Sequence, residues 1–215
     1  FCMLNNFGGR LGLHGHLDNV ANNIPKVFNE TKYIAGIGIT PEASVNNPVL
    51  YDFLFETIWQ DDASQKMEVI DLDTWLDDYA TRRYGAESES ANQAWDILKE
   101  TVYKASLNGL GQGAPESDVN ARPNLTIGAA STWGNEVISY EKGDLEEAAA
   151  LLLADYDKLK DSAGYQYDLA NVLQQVLSNS AQEYQKGMSA AFSAKDLDSF
   201  ITYSVKFMSV IEDIE

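Results

Sequence analysis

The chain has 215 residues, 45% of them apolar, enough for one large domain or two small ones around a real core. Lysine and arginine total 15 against 33 acids, a formal net charge of −18, so repulsion disfavours nucleic acid and anionic membrane surfaces as partners. No apolar run reaches the roughly 18–20 residues of a membrane-spanning helix, and the single cysteine, Cys2, excludes an internal disulfide or a cysteine-based metal cluster.

In chain order, "FCMLNNFGG" opens on what reads as the inside of a strand, over Phe1 to Leu4. It carries neither the basic segment nor the apolar stretch of a secretion signal, which leads us to expect a piece of a longer protein. A loop "NNFGGRLGLHGH" follows, in which Gly8, Gly9, Gly12 and Gly15 allow tight or left-handed backbone. Leu17 to Phe28 has helical spacing, with Pro25 expected to interrupt it. Tyr33 to Ile39 is apolar, β-branched and dotted with glycine, the pattern of a buried strand. A helix is expected from about Asn47 to Trp59, with Pro48 in its first turn and Asn46 or Asn47 as its cap. Strand, helix, strand, helix is the alternation of an α/β fold with a parallel sheet.

Past "QDDASQK" the texture becomes helical. Leu72, Trp75, Leu76 and Tyr79 share a face in "DLDTWLDDYATRRYG", which stops at Gly85, and Trp95, Leu98 and Val102 share one in "ANQAWDILKETVYKASL". A loop is expected from about residue 108 to 134, then helices over Leu145–Lys160, Tyr167–Phe192 and Leu197–Glu215. The second of these puts Leu169, Val172, Leu173, Val176, Leu177 and Tyr184 on one broad packing face. No strand is expected after residue 62. Residues 1–62 hold 3 basic and 7 acidic residues, net −4, and residues 63–215 hold 12 and 26, net −14. The negative charge is therefore assigned mainly to solvated helix faces. The fold class is an α/β barrel remnant followed by an all-α helical domain, predominantly helical overall, with 1–62 as the last part of the barrel and 63–215 as the helical domain.

One acid sits oddly. Glu42 follows Thr40-Pro41 at the C-terminal lip of the second strand, where the loops of α/β folds converge on functional groups. It can equally favour the positive end of the next helix, although the expected cap lies several residues on. At the first strand's end, the glycines let backbone approach a ligand and Phe7 offers a flat apolar wall, for a sugar ring or for a core. The lysine of a phosphate loop is absent and the glycine spacing does not match a dinucleotide fingerprint. His14 and His16 are too few for a histidine-based metal site without carboxylate help, and no metal or cofactor is expected.

Three segments in this order, "CMLNNFGGRLGLHGHL", "GIGITPEASVNNPVLYDFLFETIW" and "DLDTWLDDYATRRYG", resemble the α-N-acetylglucosaminidases of glycoside hydrolase family 89. That family carries "HNFGGN", "GxGxxPEG…NPVVY", a helix ending in "RRYG", then "AWxxLxxxVY" and "YDLxDxxRQ"; the last two stand here as "AWDILKETVY" and "YDLANVLQQ". "NFGG" alone is weak, whereas the ordered set over nearly all 215 residues is specific. Asn5 replaces the family's histidine, Arg10 its asparagine, and Ala43 the glycine after the glutamate.

The resemblance implies a retaining exo-glycosidase that removes terminal α-linked N-acetylglucosamine from heparan-sulfate-like or mucin-type glycans. Such chemistry uses two carboxyl groups about 5–5.5 Å apart. Glu42 occupies the nucleophile's position in the "PE" motif, and Leu4 and Phe7 occupy positions that line the sugar pocket. The family's acid/base glutamate and a pocket-closing tryptophan segment are expected outside these 215 residues, so the chain by itself is expected to be inactive. Exposed strand edges make a homo-oligomer one route to solubility. The protein is expected to be secreted, periplasmic or on the cell surface if bacterial, which its single cysteine and acidic helices favour, and lysosomal if animal. Sequons at Asn29 and Asn124 matter only in a eukaryotic secretory host. Two other readings stand beside this one: a non-catalytic glycan-binding or helical interaction module in which Glu42 is only a cap, and a glycosidase of another barrel family.

Overall fold

The computed structural model describes residues 1–6, 10, 12–42, 47–60, 66–104, 113–127, 130, 134 and 136–214. Its elements run β1 (Cys2–Met3), α1 (Leu17–Glu30), β2 (Gly38–Ile39), α2 (Pro48–Ile58), α3 (Leu72–Tyr84), α4 (Glu89–Glu100), a 3-10 turn (Asp118–Asn120), α5 (Lys142–Ala154), α6 (Tyr156–Leu159), α7 (Ala163–Ala194) and α8 (Leu197–Ile214). No strand lies beyond β2 among the described residues.

β1 and β2 pair in parallel across α1, with Cys2 opposite Gly38 and Met3 opposite Ile39. Both strands are shorter than the sequence pattern implies, and the expected burial of Tyr33–Ile39 is not found. Tyr33 is 85% exposed, and only Ile34, Ile37 and Ile39 are half-buried. An apolar run reports that a segment can be buried but not how many neighbours flank it. Here Met3, Ile37 and Ile39 pack against the apolar cluster, with Ile37 and Ile39 at the two-residue spacing of one strand face.

Pro25 does not interrupt α1, which runs unbroken from Leu17 to Glu30 with Pro25 buried in it. The burial of Val20, Ala21 and Ile24 around the proline holds the helix in spite of the lost N–H bond. The expected single helix over 145–160 is two pieces, α5 and α6, broken at Asp155, whose carboxylate accepts from the Ser88 hydroxyl at 2.7 Å. The expected helix over 91–107 stops at Glu100. Val102 and Tyr103 lie in the turn after it, with their carbonyls turned to the Gly15 and Leu17 N–H groups at 3.2 and 3.1 Å; residues 105–112 lie outside the described set.

Several helix ends follow ordinary capping chemistry. Asp71 and Ser88 accept from the Thr74 and Ala91 N–H groups at 2.9 and 3.0 Å. Gly85 ends α3 with φ 76°, a left-handed turn that glycine adopts without a Cβ clash. One apolar cluster joins the strand-bearing part to the helices, from Leu17 and Leu50 to Leu152 and Val172. Its spine is aromatic: Phe53 of α2 meets Trp75 at 4.7 Å between centroids, Trp75 stacks on Tyr79 at 5.1 Å, and Tyr79 meets Trp95 edge-on at 5.3 Å. The strand-bearing part and the helices therefore share a core.

Candidate functional site

The site builds outward from the C-terminal ends of the two strands. In a parallel pair, side chains and loops that leave the same end of the sheet emerge together. β1 ends at Met3, with Leu4, Asn5 and Asn6 beyond it, and β2 ends at Ile39, with Thr40, Pro41 and Glu42 beyond it. The Thr40 N–H donates to the Met3 carbonyl at 3.0 Å, the last main-chain bond of the ladder.

Past that point a side chain takes over. The Asn6 amide donates to the Glu42 carbonyl at 2.8 Å, and its oxygen accepts from the Glu42 N–H at 3.4 Å. Asn6 is 1% exposed and Glu42 half-buried, so the two bonds are partly shielded from water, which strengthens them. The Glu42 backbone is fixed to the neighbouring strand end.

The loop after β1 is held from several sides. The Asn5 amide donates to the His14 carbonyl at 3.2 Å. Asn47 stands at the N-cap of α2, as expected, but in a left-handed conformation (φ 46°) and with no capping bond from its side chain. That side chain instead accepts from the His14 N–H at 2.9 Å and the Tyr103 hydroxyl at 3.1 Å, and donates to the Gly12 carbonyl at 3.2 Å. Gln175 of α7 accepts from the Leu13 N–H at 3.0 Å and donates to Asn179, which donates to the Tyr140 hydroxyl. Sequence reasoning missed this brace. It read α7 by its leucines and valines, whereas Gln175, Asn179, Gln182 and Gln185 are also buried there. The available signal was the density of amides along "QQVLSNSAQEYQ". A buried amide needs a polar partner, and the loop backbones supply it.

Leu4 is 46% exposed and lines an apolar cavity of about 280 Å³ with Met3, Val20, Ile24, Ile37 and Leu50; Glu42 is not in its wall. Phe7 and Ala43 lie outside the described residues. The rings of His14 and His16 meet edge-on at 4.9 Å. Burial, then the neighbouring His16 and Arg10 charges, lowers His14 to about 4, so it is neutral near pH 7. No group of three or more His, Cys, Asp or Glu side chains is placed to share a metal ion among the described residues.

The family motifs have structural work to do as well. Arg83 of "RRYG" makes two bonds to Asp168 of "YDL", at 2.6 and 2.9 Å, and the Tyr84 hydroxyl adds a third at 3.1 Å. The Trp95 indole N–H, from the "AW" motif, donates to that same hydroxyl at 3.0 Å. Four motif residues from α3, α4 and α7 thus form one buried polar network. Burial pushes the Asp168 carboxyl up and the guanidinium and Tyr84 pull it back; the forked geometry is that of an ion pair.

Comparison with known proteins matches this arrangement in sequence and in space. The model of the alpha-N-acetylglucosaminidase (NAGLU) C-terminal domain matches residues 75–215, and that of the alpha-N-acetylglucosaminidase (NAGLU) tim-barrel domain matches residues 1–61. The chain belongs to the alpha-N-acetylglucosaminidase family. The strand pair and its helices are a piece of a barrel, and the remainder is an all-helical domain. Human alpha-N-acetylglucosaminidase is 32% identical over 203 residues, covering 94% of this chain and 25% of the human protein. A family 89 glycoside hydrolase from Clostridium perfringens, solved with PUGNAc, superposes with a TM-score of 0.91 at 40% identity, over 98% of this chain and 23% of that one. A second structure from that organism carries two glutamate-to-glutamine changes and holds its substrate GlcNAc-alpha-1,4-galactose, with a TM-score of 0.91 over 99% of this chain. The chain spans about a quarter of the length of these relatives.

Proposed function

We propose that the complete protein is an exo-glycosidase that hydrolyses terminal α-linked N-acetylglucosamine from a glycan with net retention, and that Glu42 is its nucleophile. The observation that carries this reading is the position of Glu42, held by its backbone at the C-terminal end of a barrel strand, in a family whose Clostridium perfringens relative was solved on GlcNAc-alpha-1,4-galactose with two glutamates changed.

The reaction has two steps. One Glu42 carboxylate oxygen attacks the anomeric carbon as the glycosidic C–O bond breaks, and a second carboxyl group gives its proton to the leaving oxygen. Water, deprotonated by that second group, then cleaves the glycosyl ester and restores the Glu42 carboxylate. We assign the second carboxyl to sequence outside these 215 residues, and Leu4 and Phe7 to the wall around the sugar. A glycan of mucin type fits the relative's disaccharide, and a heparan-sulfate-like one is the alternative substrate. The site of action is extracytoplasmic: secreted, periplasmic or cell-surface in a bacterium, lysosomal in an animal.

The test uses the complete protein. Glu42→Gln should lower turnover of an aryl α-N-acetylglucosaminide by at least about 10³-fold while N-acetylglucosamine still binds. An activated fluorosugar should label Glu42, read by peptide mass spectrometry, and the sugar first released should be the α-anomer by NMR. The 215-residue chain on its own should give no turnover. A label on another residue, or a β-anomer first, overturns the reading.

A further inference from the structure

The geometry points to Asn6 as the positioning residue of Glu42: its neutral amide locks the backbone that carries the nucleophile, and the helical domain holds that amide in place. This rests on the reading of Glu42 as the nucleophile.

The strand register leads to it. Cys2 faces Gly38 and Met3 faces Ile39, a constant offset that places Asn6 opposite Glu42. The main-chain ladder ends at Thr40, so Glu42 lies where a strand end ordinarily frays. The Asn6 side chain restores the pairing one step further on, giving Glu42 both bonds a neighbouring strand would have given it. An amide is the group for this, because it donates and accepts in one rigid plane without bringing charge beside a carboxylate. Aspartate can only accept when ionised, and alanine can do neither.

Asn6 is in turn enclosed. Gly113, from the segment that precedes the 3-10 turn, has φ 118°, and a Cβ there would come within 3.4 Å of the Asn6 Cα and Cβ and 3.3 Å of the Arg10 Cβ. Only glycine combines that backbone with that closeness. On the other side Asn5 is tied to His14, and His14 to Asn47, which Tyr103 also holds. Residues brought by the helical domain, Gly113 and Tyr103, thus meet the strand-end loop that places the nucleophile. A nucleophile held on target raises kcat, and a displacement of 1 Å can cost on the order of 100-fold.

The experiment compares Asn6→Ala, Asn6→Asp and Glu42→Gln in the complete protein, with sites counted by fluorosugar labelling. Asn6→Ala is expected to lower kcat per active site about 10- to 100-fold, to slow labelling of Glu42 in parallel, and to change KM by less than about 5-fold. Asn6→Asp should lower kcat too and, by placing a negative charge near Glu42, move the acid limb of kcat/KM to higher pH. Asn6→Ala should leave that limb in place. If Asn6→Ala does not fold, Asn6→Asp, nearly the same shape, decides the matter. A purely structural asparagine would lower Tm while each surviving site kept wild-type kcat and an unmoved pH profile, and that result, with Glu42→Gln inactive, overturns this inference alone. Turnover retained in Glu42→Gln would instead remove the reading of Glu42 beneath it.

Discussion

At the scale of single residues, two buried titratable groups give the fold opposite responses to acid. Burial first, and then Glu136 beside it, pushes the Asp118 carboxyl from 3.8 up to about 6. The folded chain therefore holds this proton more tightly than the unfolded one. The resulting stability is fully present below pH 3.8 and is lost as pH rises through about 6. His14 works the other way: lowered from 6.5 to about 4, it supports the fold above pH 6.5 and withdraws that support as pH falls toward 4. Asp118→Asn should therefore abolish a gain on the order of 1–2 kcal/mol between pH 6 and 4, allowing for solvent screening at Glu136. Melting curves of both proteins across that range measure it; a difference in Tm that does not change with pH would show that Asp118 titrates as an ordinary carboxyl. Asn29, one of the two sequon asparagines, has its amide committed to both backbone groups of Met67, at 2.8 and 2.9 Å.

At the scale of elements, the contact of α3 with α7 rests on the Arg83–Asp168 fork. Both partners are largely buried, so the pair's net contribution relative to an apolar contact is small, whereas breaking it leaves a charge without its partner. The Ser162 hydroxyl, which caps α7, also donates to the Arg83 carbonyl, and Gly164 packs directly on Arg83, where a Cβ would lie 2.7 Å from that carbonyl oxygen. Arg83→Ala should cost roughly 3–5 kcal/mol. Arg83→Lys should recover less than half of it, because an ammonium cannot make the fork. Urea unfolding of the three proteins gives the comparison, and a lysine variant as stable as wild type would mean that the fork geometry contributes nothing.

At the scale of the whole molecule, the barrel piece and the helical domain share one core, so they are expected to unfold together. The aromatic spine crosses between them, and so do the backbone bonds from Gly15 and Leu17 to Val102 and Tyr103 and the side-chain bonds of Asn47 and Gln175. Among the described residues, 1–61 bring two strands of two residues each and two helices, too little to bury a core by themselves. Calorimetry of the 215-residue chain should show a single transition. Residues 1–61 expressed alone should be unfolded by circular dichroism, and Tyr103→Phe should lower the joint stability by about 1–3 kcal/mol by leaving the Asn47 amide a partner short. Two separable transitions would show that the halves fold independently.

Read from its residues alone, the chain discloses its alternation of element types, the point where strands give way to helices, and the acid placed just past a strand. These are local signals, carried by spacing along a few turns or by an ordered set of short motifs. The tertiary structure decides what the amides do. Asn6 reaches Glu42 across 36 positions, Asn47 reaches His14 across 33, and Gln175 reaches Leu13 across 162. It also decides that Tyr33 is exposed and that Asn47 braces a loop instead of capping its helix. Apolar periodicity records which faces leave water, because that preference belongs to each side chain. A buried hydrogen bond belongs to two groups at once, and its second member exists only after the chain has closed on itself.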